Sequence, residues 1–557
     1  MSNTICVAQS IEELKFILKN IKKEEVVCVP LNLPTQLFCI KNKLNFYDPI
    51  DFIDNNFYKE ALLESENLTN KLDAGELKFE SHVKEYKAIM RHKFHSVVFL
   101  IELIEKINAY KKINEIFVSG WNRYIDQYSR NNYFISYLIS NLITNIKISR
   151  LSKYEEDQIS SKEEKNYVMR NKNLNKKKNY VLMNNTGYNF KRIVFFLQKK
   201  NCYIIVPTFN KISFFKKILF RILKIIFLEF NVHSLKKRKN ILLSNIEFFY
   251  KKKNISKILN FRKEQEIGNL IKLQNQSNAI DYLFDQLNIK LVLCNSTRGI
   301  DGYYLEKSKI KNIPSVCITH GTLAPAFNQY DKIYKNIIAE AVTTNKSKYF
   351  AVQSKIMKKF VESNNLNANA IETGNLLFSE SKSSGKKKIL FAVTLKDFEN
   401  FQFLGVEMYY EFLDNLNLFN KLSKEHNLDF LVKPHPSENR CVDDLKKIFM
   451  NLEFTQKKIS EVLKNVFVTI NFSSTVIEDS LHSNIPVILF DRWKRYKHCN
   501  SEENINKKNS AAYYVNNEKD LINCLSTVKS SENINFNEYI FSGDSKKNIN
   551  SLISKLL

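Results

Sequence analysis

Glycine, proline and tryptophan are scarce in this chain, with 11, 9 and 2 residues out of 557. That scarcity excludes collagen-like, Pro-rich and Gly-rich low-complexity architectures. Nine cysteines are scattered, odd in number and without a CxxC pair. A disulfide framework or structural zinc site is therefore not expected, and reduced thiols in cytoplasm fit best. No uncharged apolar run approaches the ~20 residues needed to span a bilayer. The opening MSNTICVAQSIEELKF has neither the basic start nor the apolar core of a signal peptide. Walker loop, GxGxxG, HExxH and D-x-D patterns are also lacking, so no metal or cofactor is expected from motifs.

What is present is enough apolar sequence for sizeable cores. Hydrophobic residues make up 44% and charged residues 26%, ordinary values for a globular chain. The length suggests two domains plus insertions. Net charge is +27, from 85 Lys and Arg against 58 Asp and Glu. Such a balance favours anionic partners. A Lys-, Asn- and Ile-rich composition of the kind an AT-rich genome produces accounts for the charge equally well. Without a zinc finger, an RNP-type aromatic motif or a heptad with a basic region, nucleic acid is not an expected partner.

Residues 4–8 and 25–29 read as short buried strands with an amphipathic helix between them, the opening of a parallel α/β sheet. Helices are expected at 57–72 and 82–112, and a strand at 115–119. The polar stretch within 150–200 reads as a solvated insertion. In 214–230, Lys217, Arg221 and Lys224 share one helical face and apolar side chains fill most of the rest. Two readings stand: a core helix with one solvated stripe, or, with KKRK at 236–239, a basic helix on an anionic membrane surface. After residue 275 strands and helices alternate. Strands are expected at 289–294, 314–319, 348–353, 387–394, 428–433 and 466–471. Six of the 11 glycines lie in 299–405 and five of the nine prolines in 314–486. Several fall in strand-end loops, where open α/β sheets bind ligands.

Four of these loops carry candidate chemistry. Lys433-Pro434-His435-Pro436 ends a strand; two prolines hold the imidazole at the sheet edge, where it and Lys433 can stabilise a departing phosphate. A proline-rigid turn explains the same residues. Ser473, Ser474 and Thr475, then Glu478, form a strand-to-helix turn; the hydroxyls suit a phosphate at a helix start and Glu478 a ribose hydroxyl. Ordinary helix capping is the competing explanation. His320-Gly321-Thr322 follows a strand; His320 can serve as general base or simply orient a linker. Arg298 and Asp301 lie beyond another strand end. There Asp301 can deprotonate a hydroxyl and Arg298 can bind an anion, or the Asp-Gly pair is only a turn. His482 and His498 read as structural or surface residues.

The order of these pieces, T-R-G, H-G-T, T-G-N at Gly374, K-P-H-P, then F-S-S-T-x-x-E-D, resembles the GT-B glycosyltransferases of bacterial capsule and lipopolysaccharide assembly. These include Kdo and sialic acid transferases with an HP motif. It is also similar to CDP-glycerol glycerophosphotransferases and to UDP-N-acetylglucosamine 2-epimerases. The resemblance covers about residues 285–495. It implies an α/β fold with two Rossmann-like domains whose parallel sheets face a cleft. The first would span 1–330 with a variable basic insertion at 150–265, the second 331–525, with a helical tail at 526–557. It also implies a metal-independent glycosyltransferase that uses a nucleotide-activated sugar. Lys433, His435, Pro436, Ser473, Ser474, Thr475, Glu478 and Gly374 would bind a nucleotide-activated donor. Arg298, Gly321 and Thr322 would lie at a polysaccharide or lipid-linked acceptor, with His320 or Asp301 as base. Families with paired acids before the glycine would want an acid where Ile300 stands. A CDP-glycerol-type glycerophosphotransferase, a nucleotide-sugar 2-epimerase and a non-catalytic basic protein on membrane or nucleic acid are the alternatives.

Overall fold

The computed structural model describes residues 3–120, 135–152, 165–169, 174–184, 191–209, 211–234, 241–319, 323–343, 346–365, 367–374, 387–392, 407–435, 441–495, 497–541 and 543–557. Short β-branched and aliphatic segments such as VFVTIN and IKLVLC become buried strands, and helices between them carry the chain back. The result is α/β, with three largely parallel sheets.

The first sheet holds β1 (Thr4–Ala8), β2 (Val27–Pro30), β3 (Glu115–Val118) and β4 (Lys147–Arg150) in the order β2-β1-β3-β4. The second holds β5 (Lys165–Met169), β6 (Tyr180–Met183), β7 (Tyr203–Thr208) and β8 (Ile225–Ser234). After a hairpin of β9 (Phe249–Tyr250) and β10 (Lys253–Asn254), it adds β11 (Ile289–Cys294), β12 (Ser315–Ile318), β13 (Tyr349–Val352) and β14 (Asn369–Glu372). Its order is β14-β13-β12-β11-β6-β7-β8-β5, and only edge strand β5 is antiparallel. The third holds β15 (Lys388–Phe391), β16 (Phe430–Val432), β17 (Glu453–Phe454), β18 (Val466–Asn471), β19 (Val487–Phe490) and β20 (Ala512–Val515), ordered β17-β16-β15-β18-β19-β20. Counted in chain order that is 3-2-1-4-5-6, the doubly wound Rossmann arrangement. From β6 onward the second sheet follows the same rule.

Sheet membership corrects the expected layout. Strands β13 and β14, placed beyond a boundary at 330, hydrogen-bond into the second sheet beside β12. The span 150–265 is not a mere insertion, because it supplies β5 to β8; Tyr180–Met183 is fully buried although lysines precede it. The N-terminal strands form a separate sheet. The expected helix over 214–230 stops at Ile222 with no residue buried, and Ile225–Ser234 is a strand. Lys224, at φ +53°, makes the turn between them, and the following Ile-Ile-Phe run favours the strand.

Two packing features position the functional loops. Helix Glu80–Tyr110 runs from the first unit onto the second sheet's helices. Glu306 accepts from the backbone N–H groups of Glu80 and Ser81 at its start, at 3.2 and 2.6 Å. The terminal helix Ser545–Leu556 returns to the second sheet, where Ile549, Leu552 and Ile553 join Val181, Ile193 and Leu291 in one core. No helix among the described residues is long and apolar enough to cross a membrane.

Candidate active site

In an open parallel sheet the strand order reverses at one point, and helices leave on opposite faces there. The resulting crevice beyond the carboxyl strand ends is where ligands bind. In the second sheet it falls between β6 and β11, in the third between β15 and β18.

Asn184 follows β6 and Asn295 follows β11; Leu293 pairs in register with Met183, so Asn184 is level with Cys294 and Asn295 stands one residue beyond. The Asn184 amide donates to Asn295 Oδ1 at 2.7 Å and to Asp301 Oδ2 at 2.8 Å. Asp301 lies in the first turn of helix Gly299–Ile310. Burial pushes its carboxyl up to about 6, the Asn184 bond opposes this, and Glu85 of helix Glu80–Tyr110 adds to it. A Cβ on Gly302 would lie 2.3 Å from the Thr297 carbonyl, so only glycine lets this turn close. Arg298 precedes the helix without capping it. It stands near Arg91, a buried guanidinium 3.7 Å from Glu340. Burial lowers Arg91's pKa, Glu340 opposes this, and Arg298 lowers it further.

In the third sheet, Phe391 of β15 pairs with Val432 on one side and Ile470 on the other. Lys433 and Asn471 are therefore level, about 10 Å apart across β15. The Lys433 N–H donates to the Phe391 carbonyl at 2.9 Å, its side chain is half-buried, and burial lowers its ammonium pKa. His435 is also half-buried at this edge. The Asn471 amide donates to the Ala392 carbonyl, while its buried Oδ1 has no hydrogen-bond partner among the described residues. Ser473 and Ser474 are half-buried and Thr475 is exposed. Thr475 precedes helix Val476–His482 without a side-chain capping bond, so the capping explanation does not account for its hydroxyl.

Two expectations change. Glu478 is 2% exposed and its Oε1 lies 3.0 Å from His498 Nε2, so it does not face a ribose. Gly374, at φ +73°, lies against the terminal helix: a Cβ would meet Ser545 Oγ at 2.2 Å. Packing, not a donor phosphate, explains that glycine. His320, Gly321, Thr322 and Pro436 lie outside the described residues. The chain on either side of 320–322 is fixed. The Thr319 carbonyl accepts from Gln353 at 3.1 Å, and the Ala324 N–H donates to the His498 carbonyl at 3.1 Å.

That last bond ties the segment after β12 to the residue that pairs with Glu478, and so links the chain following the second sheet's β12 to that following the third sheet's β19. Sequence reasoning treated His498 as structural or surface and missed this linkage, as it missed Arg495. The Arg495 guanidinium is buried 4.0 Å from the centroid of the Phe472 ring, directly behind the 473–475 loop. Asp491 at 3.0 Å and Glu411 hold it, and Tyr514 donates to Asp491 at 3.1 Å. Asn184, Asn295 and Glu85 were also missed. Only the two asparagines carried a usable signal, polar residues directly after apolar strands. Among the described residues no group of three or more His, Cys, Asp or Glu side chains is placed to hold a metal ion.

No family model and no curated protein matches this sequence. Solved structures of partly similar outline include the UDP-GlcNAc 2-epimerase of Methanocaldococcus jannaschii in complex with UDP-GlcNAc and UDP. It is 13% identical, covers 68% of this chain and 99% of its own, and has a TM-score of 0.40. The Neisseria meningitidis UDP-GlcNAc 2-epimerase bound to UDP-GlcNAc is 14% identical, with coverage of 68% and 100% and a TM-score of 0.37. A variant of the wall teichoic acid polymerase TagF soaked with CDPG is 14% identical, with coverage of 69% and 90% and a TM-score of 0.37.

Proposed function

We propose that this chain is a GT-B-type transferase that moves a group from a nucleotide-activated donor to an acceptor hydroxyl. Its leading form is a glycosyltransferase of surface-polysaccharide assembly, working on a polysaccharide or lipid-linked acceptor at the inner face of the cytoplasmic membrane. The carrying observation is the chemistry at two switch points: cationic and hydroxyl donors in the third sheet, a half-buried carboxyl with raised pKa in the second. In this proposal Lys433, His435 and the hydroxyls of Ser473, Ser474 and Thr475 hold the donor's phosphates and neutralise charge as the nucleotide leaves. Asp301 or His320 takes the acceptor proton. With a carboxyl near 6, Asp301 is largely ionised at neutral pH yet basic enough to accept it. The acceptor oxygen then bonds to the donor's activated carbon, or to phosphorus if the donor is a CDP-polyol, and the bond to the leaving phosphate oxygen breaks.

A thermal-shift screen of the purified protein against CMP, CDP, UDP and GDP tests this, with His435→Ala as control. A ligand at a hundred times its dissociation constant stabilises by about 2.7 kcal/mol. One nucleotide shifting wild type well above the variant supports the donor site and names its class. UDP or GDP points to a UDP- or GDP-sugar donor, whereas CMP points to a donor that releases CMP, a CMP-linked Kdo or sialic acid or a CDP-polyol. Equal shifts in both proteins, or none, would overturn it. Turnover of a sugar nucleotide without acceptor would instead identify an epimerase.

A further inference from the structure

Helix Phe214–Ile222 turns the wrong side outward for a protein in water. Phe214, Phe215, Ile218, Leu219 and Ile222 are 70%, 85%, 46%, 58% and 75% exposed. At ~100° per residue these five side chains occupy a continuous arc of about 140°. Exposed Arg221 borders one edge of the arc and exposed Lys216 the other. The opposite side faces the protein: Lys217 pairs with Glu229 at 2.5 Å, and Phe220 packs on Phe227 with ring centroids 5.1 Å apart. The helix is therefore anchored through Lys217 and Phe220 while its apolar stripe meets solvent. Apolar patches of this kind mark interaction surfaces.

We propose that this stripe docks in the headgroup region of an anionic lipid bilayer. An apolar arc bordered by cations fits that occupant, because the side chains enter the acyl boundary while Lys216 and Arg221 meet lipid phosphates. Exposed Lys211 lies just before the helix and adds to the same field. The helix has nine residues, about 14 Å against a hydrocarbon core of ~30 Å, so it lies in the interface plane. A second copy of this chain is a poor occupant: it brings the same cation-bordered stripe and a net charge of +27.

The location also serves the transfer reaction, and this part rests on the function proposed above. Strands β6, β7 and β11 are parallel. The helix leaves from the carboxyl end of β7, so Phe214 and Phe215 lie at the sheet edge that carries Asn184, Asn295 and Asp301. Only two strand spacings, roughly 10 Å, separate β7 from β11. A bilayer under the stripe presents a lipid-linked hydroxyl at the edge where Asp301 lies.

Vesicle flotation without any substrate tests the docking by itself. Wild type is compared with a Phe214→Ser, Phe215→Ser, Leu219→Ser triple variant and a Lys216→Glu, Arg221→Glu double variant. Vesicles are pure phosphatidylcholine or contain phosphatidylglycerol. Wild type is expected to float with the anionic vesicles, and the apolar triple to lose partitioning at least ~10-fold. The charge double is expected to lose the preference for anionic vesicles. All three proteins keep the same circular dichroism and nucleotide shift, because no substituted side chain is buried. Wild type failing to float, or the triple floating like wild type, overturns the docking. So does a wild-type dimer that the triple converts to monomer without any vesicle binding, which would assign the stripe to self-association. A protein that floats but shifts with no nucleotide keeps the docking and loses the transferase reading.

Discussion

The switch points of the first and third sheets are built from the same parts: strand ends running into helix starts on either side of an order reversal. In the first sheet the chain seals its own crevice. Glu13, 5% exposed, accepts from Ser119 Oγ at 3.1 Å and from the backbone N–H groups of Gln9 and Ser10 at 2.9 and 3.2 Å. Ser10 in turn caps the helix. Gln9 has an amide without a hydrogen-bond partner among the described residues, but it is wholly buried. In the third sheet Ser473, Ser474 and Thr475 reach solvent, and Lys433 has no carboxylate at ion-pair distance among the described residues. A carboxylate placed at a helix start occupies the position an anionic ligand would take. A parallel sheet is therefore a binding platform only where the chain leaves that position open, and the fold alone does not say where.

The largest effect is expected where, in the proposed reaction, the second sheet would supply the base. Asp301→Asn keeps the bond geometry with Asn184 but cannot accept a proton, and should lower the transfer rate by about 10²–10⁴-fold. In wild type the rate should fall as pH drops through about 6, because the carboxyl is protonated below that value. If the variant keeps both the rate and the acidic limb, His320 is the base and the second crevice only binds acceptor.

Next in size is the floor of the third crevice. Arg495→Ala leaves Asp491 and Glu411 buried without their cation and removes the plane stacked on Phe472. Such a loss costs about 3–5 kcal/mol, read from urea unfolding. Arg495→Met with Glu411→Gln should recover part of it, because one stranded charge is then gone. An Arg495→Ala protein as stable as wild type would show that the pair network is not what holds the 473–475 loop.

The strand-end loops were legible because they follow apolar runs in a chain poor in glycine and proline; Lys433 lies level with Asn471, two residues before Ser473. The second sheet was half hidden. Tyr180–Met183 sits among lysines and asparagines that masked its apolar pattern, and Ile225–Ser234 continues an apolar run that reads as one helix; pairing with β11 and β7 for the first, and with β7 and β5 for the second, makes them strands. Arg495 against Phe472, His498 against Glu478, and Glu85 beside Asp301 join residues far apart in sequence. Nothing local marks such pairs; the packing of helix Glu80–Tyr110 on helix Gly299–Ile310 creates the last of them.

The smallest effects bear most directly on the contrast between sealed and open crevices. Ser119→Ala and Thr475→Val each delete one hydroxyl beside a switch point. Ser119 is 1% exposed and its hydroxyl bonds to Glu13, so its loss should cost about 1 kcal/mol of stability and leave the nucleotide shift unchanged. Thr475 is exposed and caps nothing, so its loss should leave the free protein as stable as before. If its hydroxyl meets the donor phosphate, nucleotide affinity should fall about fivefold, the equivalent of ~1 kcal/mol. The two variants thus exchange readouts: unfolding for one, binding for the other. A Thr475→Val protein with unchanged nucleotide affinity would mean that the donor site does not reach the helix start. The open position would then be a surface feature, and the distinction between the two sheets would rest on Lys433 and His435 alone.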